Sequence, residues 1–201
     1  MSKVLSFDIE TKNLSYDIGG WDNTHLFKVA CVTTWDGSNG VIYIDEQISE
    51  LKKEENIQIK SLRELKYDLD DHFQKGGILL GHNINAFDLP VLRDAMDIYI
   101  VRKYLEEKSS RCIDTSAYLL KNHGKRIHLD NLVKNTISDQ KNMSSLDSVV
   151  KWNEGKHGEV ADYCLKDSQL TYDLWMHGKD KGIVKYFDEV GNKFEQLSVD
   201  W

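Results

Sequence analysis

Proline is almost missing from this chain: 201 residues hold one, Pro90. Proline-rich spacers and polyproline recognition tails are therefore excluded. Cysteine is scarce. Cys31, Cys112 and Cys164 are odd in number and show no CxxC spacing, which excludes a disulfide framework and a cysteine-built zinc site and predicts a reducing, cytoplasmic setting. No apolar run approaches the ~20 residues that span a bilayer. The N-terminal stretch Met1-Ser-Lys-Val-Leu-Ser-Phe-Asp8 meets a carboxylate too early for a signal-peptide core. Repeats and low-complexity tracts are absent. Positive charge is not in excess either: 26 basic against 33 acidic side chains leave a net charge of −7. That balance works against long-range attraction to a nucleic-acid backbone, but it allows a local basic strip and a carboxylate site that brings its own cations. What remains is ordinary globular material, 40% hydrophobic and 29% charged. It predicts one domain over residues 1–201, with a core over about 3–178.

Patterning predicts strands at residues 3–10, 26–35 and 41–45. Asp36-Gly-Ser-Asn-Gly40 turns the second into the third. Leu62, Leu65, Leu69 and Phe73 fall at helical spacing over 61–75, and Gly76-Gly77 stops that helix. A short apolar strand at 78–82, a helix over 89–107 and a last strand at 111–114 follow. Beyond these the chain is mostly helical, with a loop at 121–128. Residues 183–201 suit a short hairpin appendage around Gly191-Asn192. The order predicts an α/β fold: a mixed five-stranded sheet, its first three strands antiparallel, with helices on both faces.

Three acidic motifs stand out. In Ser6-Phe-Asp-Ile-Glu-Thr11, residues two apart on a strand share a face, so Asp8 and Glu10 project together while Phe7 and Ile9 turn to the core. Side-by-side carboxylates are tolerated in a buried place when a cation lies between them. An exposed acidic strand face accounts for the pair equally well. In Gly81-His-Asn-Ile-Asn-Ala-Phe-Asp-Leu-Pro90, a strand gives way to a helix that Pro90 helps to start. Asp88 or Leu89 is then the helix cap, or Asp88 is a metal-binding carboxylate at the corner. Asn83 and Asn85 cap the loop or hydrogen-bond a nucleotide. In Asp162-Tyr-Cys-Leu-Lys-Asp167, Tyr163 and Asp167 lie four apart on one helical face. A packed phenol beside a solvated acid would look the same.

Taken together, in this order, FDIET, GHNINAFDLP and YCLKD resemble the three exonuclease motifs of the DEDD (DnaQ-like) exonucleases of the RNase H-like superfamily. They are most similar to those of the proofreading domain of family B DNA polymerases. The resemblance runs from about residue 3 to about 175. It implies an RNase H-like fold and assigns Asp8, Glu10, Asp88 and Asp167 as ligands of two divalent cations, Mg²⁺ or Mn²⁺. With Tyr at 163 and Asp rather than His at 162, the third motif is similar to the tyrosine form, in which Tyr163 orients the attacking water.

The residue types fit that chemistry. Paired divalent cations can clamp both the attacking and the leaving oxygen of a phosphodiester. Hard cations favour oxygen donors over His or Cys. A phenol with an ordinary pKa near 10 is a poor base at neutral pH, so Tyr163 is assigned positioning. The implied activity is 3′→5′ hydrolysis of single-stranded DNA to nucleoside 5′-monophosphates, with RNA as the alternative substrate and a non-catalytic binding module as the competing class. A polymerase or helicase is the kind of protein partner such a nuclease has. Candidate substrate contacts are Thr11, Asn83, Phe87, Lys125 and Arg126. Phe87 either stacks on a base or packs in the core. Lys121-Asn-His-Gly-Lys-Arg-Ile-His128 is the densest positive segment, either a phosphate contact or a solvated loop. Asp114, closing a strand, is expected near the site as a supporting acid. His82 and His128 have no visible ligand partners and read as structural. Trp152 and Trp175 read as core.

Overall fold

The alternation in the first motif builds the middle of a sheet. A computed structural model describes residues 4–48, 54–106 and 111–201. In it, strand β1 (Val4–Thr11) buries Phe7 and Ile9 on one face and turns Asp8 and Glu10 to the other. Strand β2 (Val29–Trp35) pairs antiparallel with β1, setting Thr33 opposite Asp8 and Cys31 opposite Glu10. A register shift between Glu10 and Thr11 ends this regular pairing. Strand β3 (Gly40–Tyr43) continues the antiparallel meander. On the opposite side of β1, strands β5 (Ile78–Gly81) and β6 (Cys112–Asp114) join in parallel.

Among the described residues the sheet has six strands, not five. Strand β4 (Ile57–Lys60) pairs in parallel with β3 and forms one edge of the order β4-β3-β2-β1-β5-β6. Its sequence, IQIK after two glutamates, resembles a solvated segment because an edge strand needs burial on one side only. Ile59 is indeed largely exposed.

Helices cover both faces. Helix α1 (Leu65–Gln74) follows a short turn capped by Ser61, whose Oγ accepts from the Arg63 N–H. Leu65 and Leu69 of α1 pack against Phe7, Ile9 and Leu79. The expected helix over 89–107 is broken into α2 (Asp88–Ala95) and α3 (Val101–Glu106). The Leu92 carbonyl accepts from both Met96 and Ile98, and Asp97 takes a left-handed φ of +56°. The run Ile98-Tyr-Ile-Val101 consists of β-branched and aromatic residues with weak helical preference. The break buries Ile98 beside Val101 and Tyr104. Lys3 of the first predicted strand and Glu107 of this predicted helix lie outside the described residues.

On the carboxylate face, the 25-residue helix α7 (His157–Lys181) crosses β1 and β2, seating Val160, Ala161, Cys164 and Leu165 against Cys31 and Ile42. Its later turns bury Leu170 and Leu174 in a second core with α4 (Thr115–His123), α5 (Leu129–Thr136) and the hairpin β7 (Ile183–Asp188) and β8 (Lys193–Ser198). Truncating either leucine to alanine would cost about 2–5 kcal/mol. Helix α6 (Ser145–Asn153) packs beside α7. The hairpin turns near Gly191-Asn192 as the sequence predicts. Its following residues lie on α7, where a Cβ at Gly178 would come within 2.5 Å of the Trp201 indole nitrogen. Asn131 and Thr136 of α5 pair with the outer edge of β7. Asn131 exchanges hydrogen bonds with the backbone of Phe187 at 2.8 and 2.9 Å, and Thr136 does so with Lys185 at 2.9 Å. Among the described residues, no helix is long and apolar enough to cross a membrane.

Candidate active site

Three of the four predicted acids form one group. Asp8 and Glu10 leave β1 on the face that α7 crosses, and α7 brings Asp167 over them. One carboxylate oxygen from each lies within 4.8 Å of the others. Asp88 stands outside this tight group but beside it, and its charge helps raise both Asp8 and Glu10. It is not the helix cap. Phe87 precedes α2, Asp88 is its first residue, and Pro90 sits in the first turn. There its own backbone N–H, and after it that of Ile9 on β1, favour the charged form of the Asp88 carboxylate.

Burial and mutual repulsion make the group reluctant to ionise. Desolvation, then the charges of Asp167, Asp88 and Glu10, hold Asp8 well above the carboxylate range. Burial pushes Glu10 up to about 8, against an opposing hydrogen bond from Ser148. Burial likewise lifts Asp88 to about 7. Asp167 is raised mainly by burial and held back by Lys141. These groups want a cation.

Part of that charge comes from Lys141, which sequence reasoning missed. Its Nζ sits 2.5 Å from Asp167 Oδ2, with 20% of the lysine side chain and 4% of the aspartate's exposed. The ammonium also lies over the Tyr163 ring, 5.1 Å from its centroid. Burial alone would lower the lysine pKa, but the charges of Asp167 and Asp8 outweigh it and hold the group above its ordinary value. Ser148 of α6, also missed, donates to Glu10 Oε2 at 2.5 Å. Behind the group, the Cys164 thiol lies 3.4 Å from Asp8 Oδ2, and Thr33 Oγ1 donates to that sulfur at 3.3 Å.

Tyr163 shares the face with Asp167, as the four-residue spacing requires, and is fully buried under Lys141. Its hydroxyl makes no hydrogen bond among the described residues, and neither does Asp167 Oδ1. Buried polar atoms left without partners are uncommon and call for a ligand or water. Burial and the adjoining Asp167 push the phenol up, so it stays protonated. The donor set is all hard oxygen, carries more negative charge when ionised than Lys141 cancels, and holds one orphaned carboxylate oxygen. It fits a hard divalent cation.

Asp114 is the clamp of the loop that carries Asp88. Its Oδ1 accepts from the Asn83 N–H (2.9 Å) and caps α4 through the Ala117 N–H (3.0 Å), while Oδ2 accepts from the Asn85 N–H (3.0 Å). With these bonds Asn83 holds a left-handed φ of +73°. Gly81 lets the loop fold back, since a Cβ there would meet Ile84 at 2.6 Å. His82 is structural. Nδ1 bonds Thr115 Oγ1 at 2.9 Å and Nε2 bonds the Ile127 carbonyl at 3.0 Å. Burial lowers it to about 4, so it is neutral. Trp152 and Trp175 are buried, as expected.

The substrate candidates divide. Thr11 Oγ1 donates to the Asn13 carbonyl, bracing the loop after β1. Phe87 is half-buried and packs edge-on against Phe27 and Trp21, each 5.2 Å away between ring centroids. The basic loop is drawn beside the Asp88 loop by the bond from His82 to Ile127. Within it, Lys125 lies 3.9 Å from Asp188 and over the Tyr186 ring. Arg126 is exposed and makes no ion pair among the described residues. Trp21 gave no sequence signal beyond being aromatic, yet 64% of it is exposed. No protein-family model matches the chain, and no curated protein matches it.

Proposed function

We propose that this protein is a metal-dependent 3′→5′ exonuclease of the tyrosine-form DEDD type, with an RNase H-like fold, acting on single-stranded DNA. One observation carries the reading. Asp8, Glu10 and Asp167 lie at opposite ends of the motif array, yet their oxygens meet within 4.8 Å. An antiparallel trio continued by parallel β5 and β6, with helices on both faces, agrees with that fold, and β4 is an edge addition.

Asp8, Glu10 and Asp167, with Asp88 beside them, are the residues that would hold Mg²⁺ or Mn²⁺. Bound there, such ions would supply a lowered pKa for water and charge stabilisation for a leaving oxyanion. The chain's own residues do the rest. Ser148 fixes the Glu10 carboxylate. The backbone N–H of Asp88 and that of Ile9 favour the charged form of the Asp88 carboxylate. Tyr163, a neutral phenol with an unengaged hydroxyl, is a donor suited to orient a water or a phosphate oxygen rather than to remove a proton. Lys141 balances Asp167 and lies where a phosphate anion would be attracted. Arg126 offers a further positive charge beside the loop bearing Asp88.

The test is digestion of a 5′-labelled oligonucleotide with Mg²⁺ or Mn²⁺. Stepwise loss of 3′ nucleotides is expected, abolished by Asp8→Ala and by Asp167→Ala in folded protein. Intact oligonucleotide in both metals, or undiminished cleavage by both variants, would refute the assignment.

A further inference from the structure

Resting on the nuclease reading, we infer that Trp21 is a stacking platform for an unpaired base of the incoming strand and confers preference for single strands. The loop between β1 and β2 is short of apolar burial but well braced. Asn13 joins it to the Leu26 carbonyl and the Lys28 N–H at 3.0 and 2.8 Å. Asn23 Nδ2 donates to the Ile18 carbonyl at 2.8 Å, and Thr24 Oγ1 donates to Asp94 Oδ2 of α2 at 2.5 Å. On this rigid loop the Trp21 indole meets Phe87 edge-on, at 81° and 5.2 Å, and Phe27 at 34° and 6.0 Å. It is thereby fixed in orientation while 64% of its surface stays open. Phe87 directly precedes Asp88, the first residue of α2, so the open indole packs on the segment that carries Asp88. Of these three rings Phe27 is buried and Phe87 half-buried, and Trp21 is the exposed one.

An indole held still and left uncovered gives up little conformational entropy when another flat ring settles on it. Stacking of a base on an aromatic side chain is sequence-tolerant because every base has a π-face. In a duplex those faces are already stacked, so the platform acts on frayed or single strands alone.

The experiment measures binding of 5′-fluorescein oligothymidylate, and of a blunt DNA duplex, by fluorescence anisotropy with Ca²⁺ present. The wild type, Trp21→Ala and Trp21→Phe are compared, and thermal melting serves as a folding control. Trp21→Ala is expected to weaken oligothymidylate binding roughly ten- to hundredfold. Trp21→Phe should recover most of the loss, and duplex binding should not change. A merely structural role would weaken both ligands together and lower the melting temperature, which would overturn the inference. Equal binding of oligothymidylate by wild type and Trp21→Ala would overturn it while leaving the nuclease reading intact. Failure of the wild type to bind oligothymidylate at all would overturn both.

Discussion

Replacing Lys141 with methionine keeps most of the stem and removes the charge. In the metal-free protein this strands Asp167, whose side chain is only 4% exposed, beside Asp8 and Glu10. Removing one partner of a buried ion pair costs about 3–5 kcal/mol. The lysine is one-fifth exposed, so the lower end applies. For a protein of this size each kcal/mol moves the melting temperature by about 2–4 °C. Lys141→Met should therefore melt roughly 10 °C below wild type in EDTA at pH 8. A divalent cation reverses the logic, because it would compete with the ammonium for Asp167. Saturating Mn²⁺ should stabilise the variant more than the wild type, and a hundredfold excess over Kd alone adds about 2.7 kcal/mol. Calorimetric titration should show tighter Mn²⁺ binding to the variant. If Lys141→Met melts with wild type in EDTA, or binds Mn²⁺ no better, then Lys141 does not serve as the counter-charge of this group.

Protonation gives a second prediction. Glu10 and Asp88 are raised from ordinary values to about 8 and about 7. The folded state therefore keeps protons that the unfolded chain releases above about pH 4. Their contribution is full below that point and is lost as pH rises through 7 and 8, by up to about 1.4 kcal/mol per pH unit for each proton retained. Denaturant melts in EDTA should show stability falling from pH 5 to 8, and saturating Mg²⁺ should flatten the slope. Ser148→Ala removes the hydrogen bond to Glu10 Oε2. It should cost about 1–3 kcal/mol and shift the pH profile of activity to higher pH, as measured by chemical denaturation and initial rates. Asp114→Ala leaves three loop and helix N–H groups without their acceptor. Hydrogen exchange at residues 83–88 should accelerate and activity should collapse while α7 stays protected.

The parts of the site legible in the sequence are those fixed by local periodicity. Strand alternation sets Asp8 with Glu10 and turns Phe7 and Ile9 inward. Helical spacing sets Tyr163 with Asp167. What periodicity does not encode is which polar loop residue meets an acid across the fold. Lys141 and Ser148 lie in a stretch that patterning reads only as mostly helical, and only the crossing of α6 and α7 over β1 gives them partners. Asp114 was visible as a strand-end acid, but its work on the Asn83 and Asn85 amides depends on how the next loop folds back. Strand β4 and the break between α2 and α3 escaped for a similar reason. Neighbouring elements decide whether Ile57, Ile59 and Ile98 are buried, and local pattern does not.

The side-chain rungs that α5 lays along β7 have a consequence for how substrate could be met. Asn131 and Thr136 imitate the missing neighbour of that strand, so α5 cannot slide by a residue without giving up four matched bonds. The segment just ahead of α5 is moored again where His82 grips Ile127. On the other side of Arg126, His123 Nε2 bonds the Ser198 carbonyl at 2.9 Å, so Arg126 projects from a stretch tethered at both ends. Its guanidinium can swivel on its own stem, but its backbone holds a fixed berth, and a nucleic-acid strand would have to thread past it rather than be fetched.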